Sequence, residues 1–124
     1  MIPCSVYIVT LNSAEWLEST LESVKDFSEV IILDSGSTDH TYAIAESFPN
    51  TRISHQDWQG YAGQKSLALA QCKNDWVLNL DGDEVLSSEL KAEIEQTIQS
   101  NQLDALIIPI NDVFLGVPNS KHTK

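Results

Sequence analysis

The sequence predicts an α/β fold, a three-layer αβα sandwich built on a mainly parallel sheet. Short apolar runs rich in β-branched or aromatic residues alternate along the 124 residues with segments of helical periodicity. This alternation implies parallel strands joined by right-handed crossovers, with helices on both faces of the sheet. Acidic motifs follow two of the apolar runs directly. We therefore expect a ligand crevice beyond the carboxyl ends of the strands.

The first half of the chain predicts three strands and two helices. Each strand is a short apolar run, and each helix has apolar side chains three or four residues apart. Asn12, followed three residues later by Glu15, predicts a capping box at the start of the first helix. The predicted elements are a strand over Cys4–Thr10, a helix over Ala14–Val24, a strand ending at Leu33, a short helix over Tyr42–Ala45 and a strand over Arg52–His55.

The second half predicts two helices and two strands. Apolar residues recur every four positions over Leu86–Ile98, which predicts an amphipathic helix with one face in the core. The chain is expected to form one domain over residues 1–124, and residues 117–124 are expected to fray because they show no periodicity. The predicted elements are a helix over Gly60–Cys72, a strand over Trp76–Leu80, a helix over Ser87–Ser100 and a strand over Leu103–Ile110.

Composition excludes several classes of partner. The sequence carries 7 Lys and Arg against 18 Asp and Glu, a formal net charge of −11. This charge argues against nucleic acid and against attraction to anionic lipid, because basic side chains hold both. No apolar stretch approaches the roughly 20 residues that span a bilayer, so we expect a cytoplasmic protein without a transmembrane segment. Cys4 and Cys72 lie far apart in sequence, which favours buried, reduced thiols.

Two acidic motifs follow predicted strands. Asp34–Asp39 follows Val30–Leu33, and Asp81–Glu84 follows Trp76–Leu80. Both motifs would face one crevice at the carboxyl edge of a parallel sheet. Carboxylate oxygens there suit Mg²⁺ or Mn²⁺, and a divalent cation lets an acidic protein bind a phosphate-bearing substrate. Turn and helix-capping preferences explain either motif alone, whereas the two together favour a site for metal and phosphate.

Three segments of the chain, in their order and spacing, resemble the donor-binding half of family 2 glycosyltransferases. They are Ser5–Asn12, Val30–Thr41 and Asn74–Glu84. Gly60–Lys65 and Asn111–Gly116 are similar to the branch of this family that builds bacterial lipopolysaccharide core sugars. The resemblance covers nearly the whole chain. It implies a Rossmann-like nucleotide-diphospho-sugar transferase fold of the glycosyltransferase A type.

The resemblance also implies a nucleotide-binding site. Thr10 and Asn12 would line the nucleotide pocket at the end of the first strand, and Asp34 would hydrogen-bond the base. Asp81 would lie near the ribose and the donor sugar, and Lys65 would add a positive group near the phosphates. The donor implied by the family is a nucleotide-diphosphate sugar, most commonly a UDP-sugar.

A metal site and a reaction follow from the same resemblance. Asp81-Gly82-Asp83 matches the Asp-x-Asp motif, in which the second aspartate, Asp83, ligates Mg²⁺ or Mn²⁺ and Asp81 is a further candidate ligand. The metal neutralises the leaving diphosphate. The implied reaction is metal-dependent, inverting transfer of a hexose to a saccharide or lipid-linked saccharide acceptor. Its implied setting is lipopolysaccharide core or cell-surface glycan synthesis, at the inner face of the membrane.

Two departures from the family pattern leave alternatives open. The usual Asp-Asp pair at the base site is Asp34-Ser35 here, which leaves one carboxylate for base recognition. The general base of the family lies in the acceptor half, beyond Lys124, so no catalytic residue is identified and the chain is interpreted as an N-terminal fragment. The alternative function is a truncated, non-catalytic module that binds nucleotide or assembles with another chain.

Further expectations concern assembly, other folds and single residues. Loss of strands that cover the sheet would leave apolar surface or a bare edge, so we expect a homodimer. A receiver-like signalling domain ranks last, because Thr10-Leu11-Asn12 provides no acid after the first strand. Three tryptophans, Trp16, Trp58 and Trp76, are interpreted as packing residues, with a place at the border of the pocket as the alternative for Trp58. Asp39 and Glu84 are interpreted as turn or helix-start residues.

Overall fold

The structure, a computed structural model, describes residues 1–100, 107–110 and 113–116. These residues form one six-stranded sheet with four helices packed around it. The elements are β1 (Ile2–Thr10), α1 (Ala14–Ser23), β2 (Phe27–Asp34), α2 (Thr41–Glu46), β3 (Thr51–His55), α3 (Gly60–Ala70), β4 (Trp76–Asn79), α4 (Ser88–Gln99), β5 (Ile107–Ile110) and β6 (Val113–Gly116).

The sheet has the strand order β3-β2-β1-β4-β6-β5. The first four strands along the chain are parallel, whereas β6 pairs antiparallel with β4 and β5 pairs antiparallel with β6. The chain therefore builds outward from β1 through β2 to β3, then returns to the other side of β1 with β4. This reversal is the topological switch point at which open α/β sheets form their ligand crevice.

Helices cover both faces of the sheet. On one face, apolar side chains of α1, α2 and α4, such as Leu17, Ala45 and Ile94, join the main core under β1, β2 and β4. On the other face, Leu69 of α3 packs with a smaller cluster that includes Ile31. Each fully buried Leu or Ile contributes roughly 1.5–3 kcal/mol to folding. The predicted three-layer αβα sandwich with a mainly parallel sheet is therefore confirmed.

Two predictions about single residues in the core are also confirmed. Cys4 and Cys72 are buried and are not joined in a disulfide, and burial raises the pKa of the Cys4 thiol well above its ordinary value. Trp76 is 7% exposed and packs in the main core at the start of β4.

In the part of the chain that the structure describes, no helix has both the length and the apolar character needed to cross a bilayer.

The C-terminal part of the sheet differs from the prediction. The sequence predicts one strand over Leu103–Ile110, but the described strand begins at Ile107, and a second strand over Val113–Gly116 was not predicted. Only three residues of this second strand pair with β4, and so short a strand shows no recognisable alternation of apolar and polar residues in the sequence. Pro109 lies in β5, at the edge of the sheet, where a residue without an N–H is tolerated. Residues 103–106 and 117–124 lie outside the described residues.

Candidate functional site

An open pocket of ≈ 840 Å³ lies where β1, β2 and β4 end. Its volume is within the range of small-molecule sites, and it coincides with the topological switch point of the sheet. Five of the six residues that the sequence predicted as nucleotide or metal ligands line this pocket: Thr10, Asn12, Lys65, Asp81 and Asp83. The sixth, Asp34, does not line it.

The turn after β4 presents two carboxylates to the pocket. The backbone N–H of Asp81 donates to Glu84 Oε1 at 2.7 Å, and the N–H of Glu84 donates back to the Asp81 carbonyl at 3.0 Å, so Glu84 closes the turn. Thr20 Oγ1 donates to the carbonyl of Gly82 at 3.0 Å and ties the turn to α1. The prediction that Glu84 shapes the turn is confirmed, and Asp81 and Asp83 project from a fixed backbone.

Gly82 lies close to the residue that precedes α1. A Cβ atom added at Gly82 would lie 3.2 Å from Ser13 Oγ, tighter than an ordinary contact, and 3.4 Å from Ser13 Cβ, at the limit of an ordinary contact. The third neighbour would be the Thr10 side chain at 3.6 Å. The absence of a side chain between Asp81 and Asp83 therefore lets the turn pack directly against the start of α1.

The donor set at this turn fits a divalent cation that is shared with a ligand. Within the described residues, neither the Asp81 nor the Asp83 carboxylate accepts a hydrogen bond or forms an ion pair, and both residues are exposed. The same residues contain no cluster of three His, Cys, Asp or Glu side chains able to hold a metal. Mg²⁺ characteristically binds through one or two carboxylates and completes its shell with substrate phosphates and water. Two protein carboxylates therefore suit a cation whose other ligands are the oxygens of a bound diphosphate and water.

Asp34 lies beneath the pocket and is fully buried. Its Oδ1 accepts from Thr10 Oγ1 at 2.6 Å and from Ser37 Oγ at 2.5 Å, while its Oδ2 accepts from the N–H groups of Gly36 at 2.9 Å and Ser37 at 2.7 Å. Burial opposes the charge, but the donors of Ser37, Thr10 and Gly36 outweigh it and hold the pKa of Asp34 below its ordinary value. These four contacts fix Thr10 and the loop after β2, and the contact of Asp34 with a base stays a prediction.

Asp39 caps two helices at once. Its Oδ1 accepts from the N–H of Thr41 at 3.0 Å and from Thr41 Oγ1 at 2.5 Å, at the start of α2. Its Oδ2 accepts from the N–H of Ala14, the first residue of α1, at 3.1 Å. The side-chain bond from Thr41 is the main reason that the pKa of Asp39 lies below its ordinary value. An acid at a helix start is stabilising, so the prediction of a helix-start role for Asp39 is confirmed.

The capping box predicted at Asn12 is absent. Asn12 has φ 51°, a left-handed conformation that Asn tolerates better than most residues, and Ser13 is the residue that precedes α1. The Asn12 Oδ1 accepts from the N–H of Thr38 at 2.8 Å, and the N–H of Asn12 donates to Ser37 Oγ at 2.7 Å. The side chain of Asn12 is therefore used to join two loops, and Asp39 replaces it as the cap of α1.

Ser35, which follows Asp34 in the pair that the resemblance assigns to the base site, lines the pocket. Its N–H donates to the carbonyl of Thr10 at 3.2 Å, which fixes its backbone. Its hydroxyl is buried and lacks a hydrogen-bond partner. Among the described residues, every other buried side-chain nitrogen or oxygen atom has such a partner. A buried polar atom without a partner costs roughly 1–3 kcal/mol, so this hydroxyl would gain from a ligand.

The start of α3 forms the wall of the pocket. Tyr61 and Lys65 are one turn apart, on the same side of the helix, and both line the pocket with Trp58. The rings of Trp58 and Tyr61 meet edge to face, with centroids 5.1 Å apart. Lys65 is the one basic side chain among the described lining residues. This wall therefore offers an aromatic surface next to a single positive charge.

Buried polar contacts hold this wall in place. Gln64 is fully buried, accepts at Oε1 from the N–H of Gln59 at 3.2 Å and donates from Nε2 to the carbonyl of Gln56 at 3.4 Å. Gly60 has φ 82°, which an L side chain rarely adopts, and it turns the chain into α3. These contacts fix the segment that carries Trp58.

Two tryptophans that were interpreted as packing residues line the pocket instead. Trp58 is 52% exposed and borders the pocket, which was the alternative left open for it. Trp16 was predicted to pack in the core, but it is 53% exposed and lines the pocket from α1. The first turn of α1 lies beside the Asp81–Asp83 turn, and this position turns Trp16 toward the crevice.

Comparison with known proteins places these features in a family. The family model described as Glycosyl transferase family 2 matches residues 5–124. An uncharacterised glycosyltransferase of Rickettsia bellii is 48% identical over 101 residues, which cover 81% of this chain and 34% of the relative. The lipopolysaccharide core biosynthesis glycosyltransferase LpsC of Rhizobium meliloti is 36% identical over 104 residues, which cover 81% of this chain and 38% of the relative.

Among solved structures, the fold is similar to that of S. aureus TarS 1-349 in complex with UDP. The TM-score is 0.71 at 27% identity, and the match covers 84% of this chain and 34% of TarS 1-349. The chain spans about a third of the length of the curated relatives it matches. The predicted resemblance is therefore confirmed for both sequence and fold.

Proposed function

Because the chain belongs to glycosyl transferase family 2 and has the A-type nucleotide-sugar fold, we propose that its pocket binds a nucleotide-diphosphate sugar together with a divalent cation. The donor is a UDP-sugar, as the UDP bound to the similar TarS supports. Asp83 is the principal metal ligand and Asp81 the second. Mg²⁺ and Mn²⁺ both suit this pair of carboxylates.

The observation that carries the proposal is the pair of unengaged carboxylates at Asp81 and Asp83. On their own they would repel a diphosphate, and Lys65 contributes one positive charge against their two negative ones. A divalent cation between carboxylates and diphosphate removes this repulsion. When bound, the cation stabilises the charge that develops on the leaving diphosphate.

Thr10 and Asn12 complete the nucleotide site with complementary groups. Thr10 donates its hydroxyl proton to Asp34, so its oxygen is left to act toward a ligand only as an acceptor. Asn12 uses its carbonyl oxygen to accept from Thr38, which leaves the amide NH₂ as a donor. Lys65 provides a charge-assisted contact to the phosphates from the opposite wall.

The proposed reaction is metal-dependent, inverting transfer of a hexose to a saccharide or lipid-linked saccharide acceptor. The likeness to LpsC supports a role in lipopolysaccharide core or cell-surface glycan synthesis, on the cytoplasmic side of the membrane. The described residues that line the pocket include no carboxylate besides Asp81 and Asp83, and no histidine. We therefore propose no general base among these lining residues. Formation of a homodimer stays a prediction.

The same observation supports a second candidate function. If no general base reaches the pocket, the chain is a non-catalytic module that binds nucleotide or assembles with another chain. The two functions share the donor site and differ in turnover. Incubation with a UDP-sugar and a saccharide acceptor separates them, because product formation requires the base and nucleotide binding does not.

Comparison of UDP with UMP tests the proposed donor site. In the presence of Mn²⁺, we expect UDP to bind at least about 10-fold more tightly than UMP, a difference of roughly 1.4 kcal/mol, because the second phosphate completes the metal coordination. Quenching of fluorescence from Trp16 and Trp58, which line the pocket, provides the signal. Equal affinities for the two nucleotides would contradict a metal shared with the diphosphate.

A further inference from the structure

Helix α1 holds the segment that carries the proposed metal ligand Asp83 at two points. The hydroxyl of Thr20 donates to the carbonyl of Gly82, the residue before Asp83, at 3.0 Å. The hydroxyl of Ser23, one turn further along α1, accepts from the N–H of Leu86 at 3.0 Å. The partners in these two contacts lie 62 and 63 positions apart in the sequence. The segment from Gly82 to Leu86 is therefore anchored to α1 at both ends.

The contact between Thr20 and Gly82 fixes the peptide unit that leads into Asp83. Because a peptide bond is planar, the carbonyl group of Gly82 and the Cα atom of Asp83 lie in one plane. A hydrogen bond to this carbonyl therefore fixes the orientation of the plane that ends at the Asp83 Cα atom. Gly82 itself restrains its backbone less than other residue types do, so the restraint has to come from its partners.

The carboxylate of Asp83 has no restraint of its own. Asp83 is exposed, and within the described residues its carboxylate accepts no hydrogen bond and forms no ion pair. Its position depends on its backbone, which the fully buried Thr20 holds from the packed side of α1. A group that binds a metal has to be held within about 0.5 Å of its working geometry. The hydroxyl of Thr20 supplies part of this precision.

We propose that Thr20 is a positioning residue for the metal: its hydrogen bond to Gly82 holds the Asp83 carboxylate where a cation can be shared with a diphosphate. The proposal rests on the proposed donor site. Thr20 does not line the pocket and reaches it only through the backbone of Gly82. Loss of its hydroxyl therefore weakens the binding that depends on the shared metal and spares the contacts to the rest of the nucleotide.

Thr20→Val tests this role, because Val keeps the branched shape of the side chain and removes its donor. With Mn²⁺ present, we expect calorimetric titration to show UDP binding weakened by about 5- to 10-fold, close to the loss that follows removal of an outer contact at a metal site. UMP lacks the second phosphate that completes the metal coordination, so its affinity should stay within about 2-fold of that for the unaltered chain. The ratio of UDP affinity to UMP affinity therefore falls, which a general loss of stability would not cause.

Two matched variants separate the hydroxyl from the packing of the side chain. Thr20→Ser keeps the hydroxyl and is expected to hold the ratio of UDP affinity to UMP affinity within about 2-fold of the unaltered value. Thr97 Oγ1 donates to the carbonyl of Glu93, four residues earlier in α4, at 2.8 Å, and Thr20 Oγ1 makes the equivalent contact to the carbonyl of Trp16 at 3.3 Å. Thr97 lies outside the pocket, so Thr97→Val is expected to bind both nucleotides like the unaltered chain.

The outcomes separate this proposal from the function on which it rests. Melting curves establish that each variant is folded at the assay temperature, and Thr20→Ala takes the place of Thr20→Val if Val unfolds the chain. An unchanged ratio of UDP affinity to UMP affinity in the variant without the hydroxyl overturns the role of Thr20 and keeps the donor site. The same holds if UDP and UMP lose affinity equally, or if Thr20→Ser behaves like Thr20→Val. Equal binding of UDP and UMP by the unaltered chain overturns both the shared metal and the role of Thr20.

Discussion

Asp83→Asn is expected to lower the affinity for UDP in the presence of Mn²⁺ by about 100-fold or more. Loss of an outer contact to a metal ligand already costs about 10- to 100-fold in metal affinity, and Asp83 is proposed to touch the metal itself. Asn keeps the size and one oxygen of the side chain but removes the charge. Calorimetric titration of UDP at fixed Mn²⁺ measures the change, which corresponds to roughly 2.7 kcal/mol.

A charge-matched variant controls for the altered net charge. Glu93→Gln removes one negative charge from the exposed face of α4, outside the pocket, and is expected to bind UDP like the unaltered chain. Asp83→Asn leaves the contacts of the turn intact, because they are made by Asp81, Glu84 and Gly82. Its melting temperature should therefore stay close to that of the unaltered chain. Undiminished, metal-dependent UDP binding by Asp83→Asn would exclude Asp83 as a ligand.

Asp34→Ala is expected to destabilise the fold by about 3–4 kcal/mol, a large share of the roughly 5–15 kcal/mol that stabilises a typical domain. The substitution leaves four donors from Thr10, Gly36 and Ser37 without an acceptor beneath the pocket. These donors join the ends of β1 and β2, so their loss loosens the loops that line the site. Urea unfolding followed by circular dichroism measures the change.

An exposed aspartate provides the matched control. Asp57 pairs with His55 on the surface, where its side chain is 87% exposed, and Asp57→Ala is expected to change stability by no more than about 0.5 kcal/mol. Asp34→Asn keeps the shape of the side chain but turns one acceptor into a donor that faces other donors. We expect it to be destabilising as well. If Asp34→Ala unfolds at the urea concentration of the unaltered chain, the carboxylate does not organise the two loops.

The same carboxylate makes stability depend on pH. The folded-state pKa of Asp34 lies below its ordinary value of 3.8, so its contribution is present above that value and is lost as the pH falls through the folded pKa. Glu29 behaves likewise below its ordinary value of 4.5: burial opposes its charge, but bonds from Ser5, Lys73 and Arg52 outweigh burial and lower its pKa. The urea midpoint should therefore fall as the pH drops below about 4, and it should fall less steeply in Asp34→Asn.

The parallel half of the fold could be predicted because each element carries its own signal. Val30–Leu33 in β2 and Trp76–Leu78 in β4 are continuous buried apolar runs, and α4 shows a regular apolar stripe. Strand β6 is only four residues long, so its sequence shows no recognisable alternation of apolar and polar residues. It also pairs with β4, which is distant from it in sequence. The start of α1 at Ala14 was predicted correctly, but its cap was not, for a related reason: Asp39, 25 positions after Ala14, supplies the cap that Asn12 was expected to form.

The candidate site could be predicted by position but not by role. A strand end followed by acids locates the pocket, and Asp81 and Asp83 lie where the sequence indicated. Whether an acid faces solvent or is enclosed by donors depends on the loops around it, which a linear pattern does not reveal. Asp34 is enclosed because the loop after β2 packs against Thr10.

Calorimetric titration of UDP into the unaltered protein, with Mn²⁺ and then with the metal removed by a chelator, tests the shared metal site most directly. We expect binding in the micromolar to millimolar range with Mn²⁺ and at least about 10-fold weaker binding without it. The factor by which Mn²⁺ raises the affinity for UDP must equal the factor by which UDP raises the affinity for Mn²⁺. Titration of Mn²⁺ with and without UDP should therefore give the same ratio of affinities as titration of UDP with and without Mn²⁺. UDP affinity that is unchanged by removal of the metal would contradict a cation held between Asp81, Asp83 and the diphosphate.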